Sequence, residues 1–143
     1  MSITVRQALP ADIPALCALE RECFSEPWSE KGFEEFFENG CSHCFVAETD
    51  GGICGYIGMY LILGEAEITN LAVFKRFRRL GIGGALIDAV LHTDGVERVL
   101  LDVRESNTAA RALYEKYGFT VDGKRRGFYS QPREDAVLMS RTV

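Results

Sequence analysis

Residues 70–88, from Asn70 to Asp88, read NLAVFKRFRRLGIGGALID, and the order of residue types in them decides which architecture to expect. The apolar run Leu71, Ala72 and Val73 reads as the end of a strand. A cationic turn follows, with Lys75, Arg76, Arg78 and Arg79. A glycine-rich loop with Gly81, Gly83 and Gly84 then leads straight into an amphipathic segment. Such an order predicts strand, turn, loop and helix N-terminus, where backbone N–H groups lack intrahelical partners and carry partial positive charge. Glycines let ligand oxygens approach that backbone, so the stretch suits a phosphate or pyrophosphate. Plainer readings are a tight strand-to-helix turn and, for the basic cluster, a solvated face or a nucleic-acid patch.

No GxxxxGKS or GxxxxGKT string occurs, which excludes a Walker loop. Gly81, Gly83 and then Leu86 miss the last position of the GxGxxG dinucleotide fingerprint. What stands here is Arg78-Arg79-Leu80-Gly81-Ile82-Gly83, an arginine, two residues and then Gly-x-Gly. It resembles the coenzyme A-binding motif of the GNAT superfamily of N-acetyltransferases.

The rest of the chain narrows the field. Its 143 residues, 47% hydrophobic and 26% charged, suit one globular domain over 1–143 with its own core. The net charge is −5, and an acidic chain is a poor general nucleic-acid binder. Against that background the cations from Lys75 to Arg79 stand out as a local anion site. The longest apolar stretch, Ile53 to Leu63, is interrupted by Gly55 and Gly58 and is too short to span a bilayer. The opening MSITVRQALPAD lacks the apolar core of a signal peptide. Cys17, Cys23, Cys41, Cys44 and Cys54 are an odd number of cysteines in apolar surroundings, read as reduced thiols of a cytoplasmic protein. Cys41 and Cys44 flank His43 in a lone CxxC without a second ligand pair, so no metal site is expected.

Taken in order, Ile3 to Ala8 reads as a first strand. Pro10-Ala11-Asp12 opens a helix with Ile13, Leu16, Leu19 and Cys23 at helical spacing. Ser29 suits the N-cap of a second helix through about Glu38, with Phe33, Phe36 and Phe37 as its apolar face and Gly40 beyond its end. Cys44 to Glu48 and Ile53 to Leu63 read as strands joined by Asp50-Gly51-Gly52, and Glu65 to Val73 as the next strand. The helix after the glycine loop is expected to bury Ile82, Ala85, Leu86, Ala89 and Val90. Arg98 to Val103 reads as a short strand, Asn107 as the cap of a helix through Lys116, and Gly118 as its stop. Phe119 to Asp122 and Ala136 to Met139 read as two final strands. The whole predicts an α/β fold, one mixed sheet with helices on both faces.

That order matches the GNAT fold element by element, implying a mostly antiparallel sheet of about seven strands flanked by four helices. Four strings sharpen the likeness: PWSE at Pro27 to Glu30, EITNLAV at Glu67 to Val73, LDVRESNTAARALYEKYGF at Leu101 to Phe119, and REDAVLM at Arg133 to Met139. Together they look like the RimI-type enzymes, which acetylate the N-terminal alanine of a small-subunit ribosomal protein.

The resemblance implies acetyl-CoA as co-substrate, a ribosomal-protein N-terminus as acceptor, and roles for particular residues. Leu71, Ala72 and Val73 would pair with the pantetheine arm, with the Val73 N–H aimed at the thioester carbonyl. The stretch from Arg78 through Arg79, Leu80, Gly81, Ile82, Gly83 and Gly84 would hold the pyrophosphate. Asn107 would bond the pantetheine, and Tyr114 would stand by the sulfur as general acid. The family's base is a glutamate in LEVRxSN; here that position is Asp102. An α-amino group has a pKa near 8 and lysine near 10.4, so at about pH 7.5 the neutral amine costs about 0.5 kcal/mol for an N-terminus and about 4 kcal/mol for lysine. A carboxylate one methylene shorter, acting through a water, therefore suits a terminal amine better than a lysine. Glu67 is the competing base. Asp102 also reads as a strand-end ion pair with Arg104, and Tyr114 as a core aromatic beside Ala110, Leu113 and Tyr117.

No cysteine lies within the catalytic strings, so direct attack in a ternary complex is expected. Glu26, Glu30, Glu34, Glu35 and Glu38 form either a solvated face or a receiver of basic peptide residues. Tyr129 resembles the family's peptide-lining region, with Phe128 in place of a second tyrosine. Two other readings remain open: a GNAT acting on a small amine or a protein lysine, and a non-catalytic acyl-CoA-binding module.

Overall fold

In a computed structural model that describes residues 2–143, the chain forms β1 (Thr4–Gln7), α1 (Ile13–Cys23), α2 (Glu30–Glu38), β2 (Ser42–Thr49), β3 (Gly52–Ile62), β4 (Glu65–Val73), α3 (Ile82–Leu91), β5 (Arg98–Arg104), α4 (Thr108–Lys116), β6 (Thr120–Tyr129) and β7 (Glu134–Thr142). Local chemistry sets several boundaries. Ser29 caps α2, its hydroxyl accepting from the Gly32 N–H at 3.0 Å, and the Asn107 side chain caps α4, accepting from Ala110 N–H at 3.1 Å. Pro10 to Asp12 form a separate 3-10 turn ahead of α1.

The seven strands make one sheet in the order β1-β2-β3-β4-β5-β7-β6. Every pairing is antiparallel except β4 with β5. That parallel contact is short: Glu65 faces Arg98, Ala66 faces Val99 and Glu67 faces Leu100, and there it ends. Just beyond, Gly58 pairs with Asn70 but Met59 with Ile68, so Thr69 is the extra residue of a β-bulge. A bulge bends its strand, and from Thr69 onward β4 stays with β3 while β5 stays with β7. The sheet is therefore split from the bulge to the end of both strands.

Each face has its own core. Leu16, Leu19, Phe33 and Phe36 of α1 and α2 pack on Val46, Tyr56 and Ala72. On the other face α3 and α4 contribute Ile82, Leu86, Ile87, Val90 and Tyr114 against Ile57, Ile68, Leu101 and Val103.

Two expectations need correction. The buried side of α3 comprises Ile82, Gly84, Leu86, Ile87, Val90 and Leu91, whereas Ala85 and Ala89 are half-buried. The helix is apolar nearly all round, so spacing alone could not choose its inner stripe. The last two strands are also much longer than Phe119 to Asp122 and Ala136 to Met139. β6 is an edge strand with Lys124, Arg125 and Arg126 exposed, so its pairing with β7 is a matter of backbone bonds that no apolar alternation announces.

Candidate active site

The split in the sheet opens into a cavity of about 410 Å³. Ile68, Thr69, Asn70 and Leu71 of β4 form one wall, and Asp102, Val103 and Arg104 of β5 the other. Asn107, the N-cap of α4, with Ala110 and Tyr114 of α4, lines it on one face of the sheet. On the opposite face its mouth lies between the α1–α2 loop (Phe24, Ser25, Glu26, Trp28) and the β6–β7 hairpin (Phe128, Tyr129, Ser130). Across that mouth the Ser130 hydroxyl donates to Glu26 at 2.8 Å. The cavity thus occupies the gap between β4 and β5 and is lined from both helical layers.

The free edge of β4 carries directed amides. Phe74 N–H donates to Cys54 O of β3 at 3.0 Å, and amides in an antiparallel ladder alternate in direction. Ala72, opposite Tyr56, therefore turns its N–H to β3, and Leu71 and Val73 turn theirs to the gap. The Val73 carbonyl, on that same side, accepts from Arg78 Nε at 3.2 Å and from the Cys23 thiol at 3.5 Å. The strand ends with its acceptor engaged and its donors aimed into the split.

The glycine loop continues from there. Arg79 and Gly81 both have positive φ, +65° and +80°, left-handed positions of the kind from which anion nests are built. Gly81 is the N-cap of α3 and offers no side chain to its first amides. Ile82 points its side chain into the core and could meet a ligand through its backbone only, while Leu80 is exposed. Gly84 serves packing: a Cβ there would stand 2.0 Å from the Tyr117 hydroxyl. The cavity lining stops short of the loop, which lies on the surface beside it. The two are linked where Gly83 meets Leu113 of α4, one turn from Ala110.

Asp102 and Tyr114 share the cavity. Tyr114 is only 5% exposed, packs its ring 5.5 Å from Phe119, and is held well above the ordinary tyrosine range by burial and then by Tyr129. It is both a core aromatic and a wall of the cavity. Tyr129 is pushed up to about 12, by burial first and Asp102 next. Arg104 does not pair with Asp102: it bonds Glu134 at 3.3 Å, donates to Pro132 O and Ser130 O, each at 2.9 Å, and lies 4.5 Å over the Tyr129 ring. Glu67 is exposed and lines a different hollow with Tyr60, Arg98 and Leu100. Of the glutamates on and beside α2, Glu26 reaches the cavity mouth, and Glu30, Glu34, Glu35 and Glu38 point to solvent.

Several lining residues carry no sequence signal. Cys23 arrives from α1, outside the strings quoted above. Burial pushes its thiol up, and Arg78 opposes this without reversing it, so the thiol keeps its proton. Glu20 is 0% exposed and accepts from Tyr56 Oη, Asn70 Nδ2 and the Trp28 N–H. An acid at helical spacing behind an apolar stripe looks in sequence like any surface glutamate. Among the described residues no group of three His, Cys, Asp or Glu could hold a metal ion, and Cys41 is exposed where Cys44 is buried. No helix of the described residues is long and apolar enough to cross a membrane.

Comparison with known proteins bears on the same features. The sequence profile of the acetyltransferase (GNAT) family matches residues 13–119. A Salmonella typhimurium protein named ribosomal protein bS18-alanine N-acetyltransferase is 37% identical over 138 residues, covering 92% of this chain and 92% of its own. The protein of that name from Escherichia coli strain K12 is 34% identical over 149 residues, covering 98% of this chain and 97% of its own. The crystal structure of the ribosomal-protein-S18-alanine N-acetyltransferase from Escherichia coli superposes with a TM-score of 0.91 at 33% identity, covering 99% of this chain and 94% of that one.

Proposed function

Because the chain belongs to the acetyltransferase (GNAT) family, and is an N-acetyltransferase, we propose that it moves the acetyl group of acetyl-CoA to the N-terminal amine of a ribosomal protein, with alanine as the acceptor residue. The observation that carries this reading is the split sheet: the Leu71 and Val73 amides turn away from β3 into the gap, and Leu71, Asp102 and Tyr114 line one cavity there.

The residues fit the donor. The nest at Arg79 to Gly84 and the first amides of α3 hold the diphosphate, with Arg79 adding charge. The pantetheine arm lies along Leu71 to Val73 as an added strand. Asn107 contributes through Nδ2, since its Oδ1 caps α4. Val73 N–H stabilises the negative charge that builds on the thioester oxygen, a donor fixed in place before reaction.

The acceptor enters between the α1–α2 loop and the β6–β7 hairpin. Asp102 takes the ammonium proton through a water, and the neutral amine attacks the carbonyl carbon. As the C–S bond breaks, Tyr114 donates its proton to the departing thiolate; burial keeps that phenol neutral until then. The second proton on the new amide nitrogen leaves through water, which reprotonates the phenol. Asp102 is the base in this scheme because Glu67 stands in the other hollow. Cys23, a protonated thiol without a base, makes no acyl-enzyme.

A panel of peptides comparing ribosomal N-termini with internal lysines tests the reading. Fast acetylation of an alanine N-terminus is expected, with intersecting initial-rate patterns. Equal rates on lysines or polyamines overturn the acceptor assignment, and ping-pong patterns or an isolable acetyl-enzyme overturn direct attack.

A further inference from the structure

Glu20 is a buried acid to which the reaction gives no task. It is 0% exposed in the wall of the cavity, and no ion pair neutralises it among the described residues. Burying such a group is costly unless its oxygens are well bonded. Oε2 accepts from Tyr56 Oη at 2.7 Å and Asn70 Nδ2 at 2.7 Å, and Oε1 from the Trp28 N–H at 2.8 Å. These donors come from three different structures around the cavity. Asn70 follows the bulge at which β4 leaves β5, three residues before Val73. Trp28 is in the loop that walls the acceptor mouth, where its ring packs on Phe33 at 5.3 Å and Phe36 at 5.6 Å. Tyr56, on β3, is the fixed reference in the core.

We propose that Glu20 is a positioning residue, which sets the distance between the acyl-presenting strand and the acceptor-binding loop by holding Asn70 and Trp28 on one carboxyl group. It touches neither substrate. It acts through Asn70 on the direction of the Val73 N–H, and through Trp28 on where the incoming amine stands. Reactivity in a two-substrate site depends steeply on that separation. A carboxylate accepts all three bonds with its partners as they stand. Glutamine has one acceptor oxygen, so it keeps them only if Asn70 flips its amide and Tyr56 turns its hydroxyl to accept. This inference rests on the acetyl-transfer reading for its kinetic consequence, though not for its structural one.

The test uses the full chain with Glu20→Gln and Tyr56→Phe, the second removing one donor without disturbing the carboxyl. Three quantities are measured: CoA affinity by calorimetry, emission of Trp28, which is the only tryptophan, and kcat and KM with varied peptide. In Glu20→Gln, kcat is expected to fall about tenfold or more, peptide KM to change less than about threefold, and CoA affinity to hold within about twofold. Trp28 emission should shift to the red as the loop loosens. Tyr56→Phe should give the same pattern at smaller size. A folded, CoA-binding Glu20→Gln with wild-type kcat overturns the proposal, as does a loss confined to KM. If Glu20→Gln fails to fold, Tyr56→Phe decides: lowered kcat with intact CoA affinity supports the proposal and unchanged kcat overturns it. If the wild type acetylates no peptide, the reaction has been misassigned. The Trp28 emission of the variants then decides the positional claim, and an unshifted spectrum overturns it.

Discussion

In the proposed reaction, Tyr114 and Asp102 divide one proton-transfer problem between a phenol buried by α4 and a carboxylate on an open strand face. Tyr114→Phe keeps the packing against Phe119, so folding and CoA affinity should persist while kcat falls about 100-fold or more, read by steady-state assay beside calorimetry. The pH dependence follows from the same environment. With a terminal amine as acceptor, kcat/KM should climb through about pH 8 as the amine loses its proton. It should then stay level to about pH 10, because Tyr114 and Tyr129, the latter at about 12, keep their protons. A profile still rising at pH 10 would point to a lysine acceptor. Glu134 makes a different pH prediction. Ser106, through its side chain and its N–H, and then Arg104 hold this carboxyl below its ordinary value of 4.5. Its protons therefore bind the unfolded chain more readily than the folded one. The stability it contributes is complete above about pH 4.5 and lost as pH falls through the folded value. Glu134→Gln should flatten the acid limb of a stability curve, measured by urea midpoints between about pH 3 and pH 7.

α3 and its loop combine two demands that look identical in a string of glycines. Gly81 answers a backbone demand at φ +80°, and Gly84 a packing demand beneath the Tyr117 hydroxyl. Gly84→Ala should therefore cost about 1–3 kcal/mol by overpacking. Leu80→Ala, at an exposed position, should stay within about 0.5 kcal/mol, both read from urea unfolding. The elements themselves were legible from residue pattern: the bounds of β4 match, Ser29 and Asn107 cap as expected, and Gly118 ends α4 with φ +88°. What pattern could not carry were the features set by tertiary pairing. β6 is long because β7 gives it partners, and the bulge at Thr69 follows from register with β3. Glu20 and Cys23 reach the cavity from α1, far in sequence from β4 and β5, and nothing local distinguishes them from a surface acid or a core thiol.

As a whole, the molecule is two sheet halves joined by three residue pairs, with α1 and α2 under one half and α4 reaching the seam. CoA should reinforce that seam. At about 100 times its Kd it should add about 2.7 kcal/mol of stability. Hydrogen exchange should slow most at the Leu71 and Val73 amides, and exchange slowed evenly across the sheet would argue against pairing along β4. The outer borders of the sheet complete the picture. β1 is four residues long, and β6 displays Lys124, Arg125 and Arg126 to solvent, both features that discourage a foreign chain from adding on. The inviting unpaired backbone lies indoors, along β4 where it has parted from β5. A polypeptide that strays against this protein thus finds its rims inhospitable, and a thread slim enough to enter the seam is what the sheet is free to recruit.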